Sequence, residues 1–68
     1  MKINKEKFEI CLANNQLLFN DFCKKSGISK SSMRFALSGT RNTRPQTIGR
    51  IAETLGVSVE EIILKEGE

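Results

Sequence analysis

Apolar residues recur every three or four positions along most of this chain, which is the period of an amphipathic helix. Near the beginning, Phe8, Cys11 and Leu12 fall on one side of such a helix. Asn4 precedes them, and its side chain can accept a hydrogen bond from a free backbone N–H of the first turn. The polar run at residues 14–16 ends the pattern, so a first helix is predicted between these two polar signals.

The next two predicted helices are joined by a glycine turn. A helix that begins between residues 18 and 20 closes before Gly27, which supplies the left-handed residue of a helix end. Ser29 then caps a third helix that runs to Ser38. Two short helices separated by so few residues predict a helix–turn–helix at about residues 18–38.

The fourth predicted helix lies between a proline and a glycine. Pro45 suits its first turn, where the missing N–H costs little, and Gly56 suits its end. Thr43 is the expected cap. The buried stripe of this helix consists of Ile48, Ile51, Ala52 and Leu55.

A fifth helix is predicted after Gly56. Ser58 and Glu61 form the pattern of a capping box, in which each side chain bonds to the backbone of the other residue. The helix should run to about Lys65, and the last two or three residues should fray. Five short helices without a strand pattern, a repeat or a linker predict one all-α domain over residues 1–68.

Charge is segregated along the chain. The segment 22–52 has no acidic residue, although the whole chain carries eight carboxylates and a net charge of +3. Its basic residues are Lys24, Lys25, Lys30, Arg34, Arg41, Arg44 and Arg50. The residues outside the segment are therefore net negative. A basic helix–turn–helix in an otherwise acidic chain predicts a face that binds nucleic acid.

The composition argues against several other classes of protein. With no histidine and only two cysteines, Cys11 and Cys23, the usual two-Cys, two-His zinc site cannot form. There is no glycine-rich phosphate loop and no nucleophile–base pair, so we expect that the protein is not an enzyme. We also expect it to bind no cofactor, metal or small-molecule ligand. No apolar run is long enough for a signal peptide or a membrane span. Because a small secreted domain usually carries more cysteines, we expect a cytoplasmic protein.

Short motifs at fixed spacings carry a resemblance to a known family. They are Phe22-Cys23, Gly27-Ile28-Ser29, Ile51-Ala52 and Leu55-Gly56-Val57-Ser58. The chain resembles the Cro and lambda-repressor family, also called XRE-type helix–turn–helix regulators, which has Leu-Ala, Gly-Val-Ser, Ile-Ala and Leu-Gly-Val-Ser there. The spacings agree from about Phe8 to Ile63. The resemblance implies a five-helix lambda-repressor-like fold and double-stranded DNA as the partner.

The chain departs from the family pattern at apolar residues. Phe19 stands where the family often has a glutamine that contacts a phosphate. Leu12 and Leu37 stand where the family often pairs an arginine with a glutamate, so an apolar contact would replace an ion pair. Phe35 stands at a position that is usually polar and often contacts a base.

The resemblance assigns base reading to the third helix, which would lie in the major groove. The candidate residues are Ser29, Lys30, Ser31, Arg34, Phe35 and Ser38. Arg34 is the first choice for a specific contact, because a guanidinium can pair with guanine O6 and N7. Phe35 either packs on a thymine methyl or folds back onto the second helix. The alternative for the basic residues is a solvated helix surface.

The loop before the fourth helix resembles the phosphate clamp of the same family. Its candidate residues are Arg41, Asn42, Thr43 and Arg44. Basic side chains and backbone N–H groups there would fix the position on DNA without reading its sequence. The alternative is a solvated loop.

These assignments predict a sequence-specific, repressor-like transcriptional regulator that binds a palindromic operator as a dimer. A single module of this size buries little DNA surface, which favours a dimer. Val59, Ile63 and Leu64 are the candidate dimer contacts, unless they are buried within one chain. The alternative function is a protein-interaction module, such as an antitoxin-like or anti-repressor partner, anchored by apolar Ile10, Phe19 and Phe35.

Overall fold

The computed structural model describes residues 1–38 and 42–64. They form four α-helices and one turn of 3-10 helix, packed as a helical domain. The helices are α1 (Lys5–Asn14), α2 (Phe19–Ser26), α3 (Lys30–Leu37) and α4 (Pro45–Leu55), and the 3-10 turn is Val59–Glu61. The prediction of an all-helical domain is confirmed, with no strand in the described part of the chain.

The predicted helix ends are confirmed where local chemistry defines them. The Asn4 side chain accepts a hydrogen bond from Lys7 N at 3.1 Å and caps α1. Ser29 caps α3 by accepting from the N–H of Ser32 at 3.2 Å. Gly27, which closes α2, has a φ of 75°, in the left-handed region that glycine enters without strain.

The predicted cap of α4 was wrong. Arg44 rather than Thr43 occupies the N-cap position, with an extended backbone at φ −61° and ψ 140°. The reason is Pro45, because a proline restricts the residue before it to extended conformations. Thr43 lies one residue earlier, and its N–H donates to Met1 O at 2.6 Å.

The predicted fifth helix was also wrong. Glu61 does accept a hydrogen bond from Ser58 N at 2.9 Å, but only a 3-10 turn follows. Ile63 then forms an isolated antiparallel bridge with Ile3. The flanking bonds are Asn4 N to Ile62 O at 2.8 Å and Leu64 N to Lys2 O at 2.9 Å. These backbone groups bond across the domain instead of within a helix. The predicted end of the helix at Lys65 and the residues predicted to fray, 66–68, lie outside the described residues.

The core is apolar, and each of the four α-helices contributes to it. Its buried members are Ile3, Phe8, Cys11, Phe22, Cys23, Met33, Ala36, Ile48, Ile51, Ala52, Leu55 and Ile62. The rings of Phe8 and Phe22 meet edge to face, with centroids 5.1 Å apart and planes at 84°. This is a favourable geometry for two aromatic rings. The predicted stripe of α4 is confirmed, since all four of its residues belong to this core.

The apolar residues that replace the family's ion pair are also part of the packing. Leu12 and Leu37 are half-buried, pack against the core and line one groove of the surface. Among the described helices, none has the length and apolar character needed to cross a membrane.

Candidate nucleic-acid interface

The turn between α2 and α3 is fixed by a buried serine. The Ser26 hydroxyl donates to Cys23 O at 3.2 Å and accepts from the N–H of Ile28, also at 3.2 Å. These bonds tie the last turn of α2 to the segment that enters α3, with Gly27 between them. This role of Ser26 was not predicted, although a small hydroxyl residue directly before the closing glycine was a signal for it.

The two sides of α3 differ sharply in exposure. Met33 and Ala36 are buried against the rest of the domain, whereas Lys30, Ser31 and Arg34 are exposed. The predicted separation of a packing side and an outward edge is therefore present. An α-helix mounted in this way can enter the major groove of B-DNA with its outward edge toward the bases.

The hydroxyls at the two ends of α3 are already used inside the protein. Ser29 Oγ accepts from Ser32 N and donates to Ser32 Oγ at 2.9 Å. Ser38 Oγ donates to Phe35 O at 2.7 Å and so helps to finish the helix. Both serines were predicted to read bases, and both have a capping role in the structure.

Arg34 contacts an aromatic ring of the preceding helix. Its guanidinium carbon lies over the ring of Phe19, 5.9 Å from the centroid. Phe19 is the first residue of α2 and is half-buried against the core. The pair satisfies the geometry of a cation–π interaction. This contact was not predicted from the sequence.

A groove between α3 and the start of α4 joins the two predicted parts of the site. Phe35 lies in this groove rather than in the core, and it is 51% exposed. The groove residues are Ser31, Ser32, Phe35, Ala36, Asn42, Thr43, Arg44 and Thr47. Candidate base-reading residues and candidate clamp residues therefore line one surface.

The start of α4 offers backbone donors beside a basic side chain. Arg44 is exposed, and no described side chain caps the first turn of α4. The first N–H groups of a helix have no partner within the helix, and they attract anions together with the helix dipole. Asn42 is exposed and Thr43 is half-buried in the same loop. Arg41, the fourth predicted clamp residue, lies outside the described residues.

The predicted dimer contacts differ in exposure. Val59 and Ile63 are half-buried and pack against the core of their own chain. Leu64 is 45% exposed. On α1, Ile10 is 54% exposed and lines a separate groove with Val57.

The two cysteines are free thiols in the core. Burial, and to a lesser degree the negative charge of Glu61, raises the pKa of the Cys11 thiol. A raised pKa disfavours the reactive thiolate, so packing is the role that the surroundings of Cys11 support. Within residues 1–38 and 42–64, no three His, Cys, Asp or Glu side chains are grouped so as to hold a metal ion.

A short α2–turn–α3 unit with an exposed basic edge and a basic loop beside it defines a helix–turn–helix DNA-binding domain. A family model described as "Helix-turn-helix" matches residues 15–62, which is more than half of the chain. The protein therefore belongs to the Cro and lambda-repressor-like, XRE-type helix–turn–helix family, and that prediction is confirmed. It is a DNA-binding regulator of this type, in a family of DNA-binding domains rather than of enzymes. Neither curated proteins nor solved structures give a significant match.

Proposed function

We propose that this protein is a sequence-specific, repressor-like regulator that binds a palindromic operator as a dimer. The observation that carries the proposal is the orientation of α3, which is buried through Met33 and Ala36 and exposes Lys30, Ser31 and Arg34. A helix with this exposed edge fits the major groove, where each base pair presents a distinct pattern of donors and acceptors.

Arg34 is proposed to make the main specific contact. A guanidinium pairs with O6 and N7 of guanine through two parallel hydrogen bonds. The guanidinium contacts the ring of Phe19, which has no conventional hydrogen-bond acceptor, so this contact does not use up the N–H donors of Arg34. Lys30 and Ser31 are proposed to contact neighbouring bases, and Phe35 is proposed to pack on a thymine methyl.

The phosphate clamp is proposed to consist of the loop before α4 together with the first turn of that helix. Arg44 supplies a positive charge next to backbone N–H groups that no described side chain caps. Asn42 and Thr43 supply further polar groups, and Arg41 is included from the sequence pattern alone. Such contacts give affinity that falls with salt, because bound counterions are released from DNA.

Dimerisation is proposed because one small module covers too little DNA for tight specific binding. A two-fold dimer would place its two copies of α3 about 34 Å apart, one turn of B-DNA. We propose that the dimer contact lies around Val59, Ile63 and Leu64. Leu64 would be its main apolar anchor, since the other two side chains already pack on their own core.

The test is selection of bound fragments from a pool of random duplex DNA, followed by salt titration of the selected site. We expect a palindromic consensus with a guanine in each half-site, and an affinity that falls steeply with ionic strength. Failure to enrich any sequence would overturn the proposal of sequence-specific binding, and a consensus without two-fold symmetry would overturn the palindromic dimer.

A protein-interaction module has weaker support. Ile10, Phe19 and Phe35 would be its apolar anchors, but they line three different grooves of the surface. An interaction site of this kind needs a contiguous apolar patch. A partner bound through apolar contacts would also respond little to salt, which separates the two functions in the same titration.

A further inference from the structure

The first residue of α2 contacts the exposed edge of α3. Phe19 and Arg34 lie on different helices, and the guanidinium carbon of Arg34 is 5.9 Å from the centre of the Phe19 ring. Phe19 is half-buried and packs against the core, so its ring is held in place by the domain. Arg34 is exposed and, without the ring, would sample many rotamers.

We propose that Phe19 is a positioning residue, which orients Arg34 for reading a guanine base. The proposal rests on the proposed function of sequence-specific DNA binding. It assigns to an apolar side chain at the start of α2 a part in specificity, although this side chain offers no hydrogen bond to DNA itself.

The chemistry of stacking suits this role better than an ion pair would. A carboxylate partner would accept hydrogen bonds from the guanidinium and compete directly with guanine O6 and N7. An aromatic ring attracts the same cation through its face and leaves the planar fork of N–H donors unoccupied. The ring can therefore restrict the side chain without using the atoms that recognise the base.

The size of the effect follows from the strength of an exposed cation–π contact. Such a contact favours the stacked arrangement by about 2- to 5-fold over alternatives. Removing it should lower the affinity for a guanine-containing site by about the same factor. It should leave binding to random-sequence DNA unchanged, because phosphate contacts do not depend on the orientation of Arg34.

The test compares Phe19→Leu with Phe19→Tyr. Leucine keeps an apolar side chain on the core but has no ring face, whereas tyrosine keeps the ring. For Phe19→Leu we expect about 2- to 5-fold weaker binding to the selected consensus duplex and unchanged binding to a random duplex. Phe19→Tyr should discriminate between the two duplexes as well as the wild-type protein does. Equal losses on both duplexes would overturn the proposal, as would no loss on either.

A double-mutant cycle ties the effect to Arg34. In an Arg34→Ala background, Phe19→Leu should no longer change the affinity for the consensus, since there is no side chain left to orient. An equal loss in both backgrounds would show that Phe19 acts independently of Arg34, and would overturn the positioning role.

A measurement without DNA separates this proposal from the proposed function. The side-chain protons of Arg34 should show an upfield ring-current shift in the free protein, and Phe19→Leu should abolish it. If the shift is present but the wild-type protein enriches no DNA sequence, the proposed function fails while the contact stands. If the shift is absent, the positioning proposal fails whatever the protein binds.

Discussion

Replacement of Arg34 by alanine separates base reading from general attraction to DNA. The side chain is exposed, and the contact that the structure gives it is the stacking on Phe19. Since an exposed cation–π pair contributes about 0.5–1 kcal/mol, the loss in the free energy of unfolding should stay within about 1 kcal/mol. The variant should therefore stay folded, and a loss of DNA affinity should come from the interface with DNA.

The loss in binding should be specific to one base pair in each half-site. A bidentate contact with guanine contributes about 1–3 kcal/mol of discrimination, which is a factor of about 5 to 160. The assay is fluorescence anisotropy with two duplexes, the selected consensus and a version in which that guanine is replaced. Wild-type protein should distinguish them, and Arg34→Ala should bind both alike.

Two control variants make the result decisive. Arg34→Lys keeps the charge but loses the planar fork, so it should lose most of the discrimination as well. Arg44→Ala should weaken binding to all sequences equally, and should make the slope of log affinity against log salt shallower by about 0.9 for each phosphate that the variant no longer neutralises. The reasoning is refuted if Arg34→Ala still discriminates between the duplexes, or if Arg44→Ala loses only specific binding.

Three further predictions concern the fold, and equilibrium urea unfolding measures each. Gly49→Ala should stabilise the protein by up to about 1 kcal/mol, because a Cβ there would meet no described atom within 4 Å apart from its chain neighbours and the nearby backbone of its own helix; a destabilised variant would contradict this. Ser26→Ala should cost about 1–3 kcal/mol, since the N–H of Ile28 loses its acceptor, whereas Ser31→Ala on the exposed edge of α3 should change stability by less than about 0.5 kcal/mol. The pKa of Cys11 is raised in the folded state, so the folded thiol stays protonated at pH values where the unfolded thiol, with a pKa near 9.0, ionises. The free energy of unfolding should therefore fall as the pH rises above 9.0, by at most about 1.4 kcal/mol per pH unit. Cys11→Val should show a shallower fall.

The elements that were predicted correctly are those fixed by neighbouring residues. Asn4 and Ser29 cap their helices through N–H groups only three residues away. Gly27 closes α2 because its own backbone can adopt a positive φ. The periodic stripe of α4 needs no information from outside the helix. These two caps, the closing glycine and the buried stripe could therefore be predicted from the sequence alone.

Two of the features that were not predicted depend on residues distant in the chain. The bridge between Ile3 and Ile63 joins a segment that precedes the first predicted helix to one that was predicted to lie within the fifth. The stacking of Arg34 on Phe19 depends on how α2 crosses α3, which no local pattern specifies. The misplaced cap of α4 is different, because the restriction that Pro45 imposes on Arg44 is local and was available in the sequence.

The identity of the residue at the N-cap of α4 affects how the proposed phosphate clamp would bind. A threonine cap would have satisfied an N–H at the start of α4 and so competed with a phosphate for it. With Arg44 at that position, the same backbone end combines donors that no described side chain caps, a helix dipole and a cationic side chain. Thr43 instead bonds through its backbone to Met1, so the loop that carries the proposed clamp is held by the N-terminal segment as well as by α4. Because that segment also pairs with residues 62–64, the backbone that replaces the predicted fifth helix helps to hold the proposed DNA-binding surface in place.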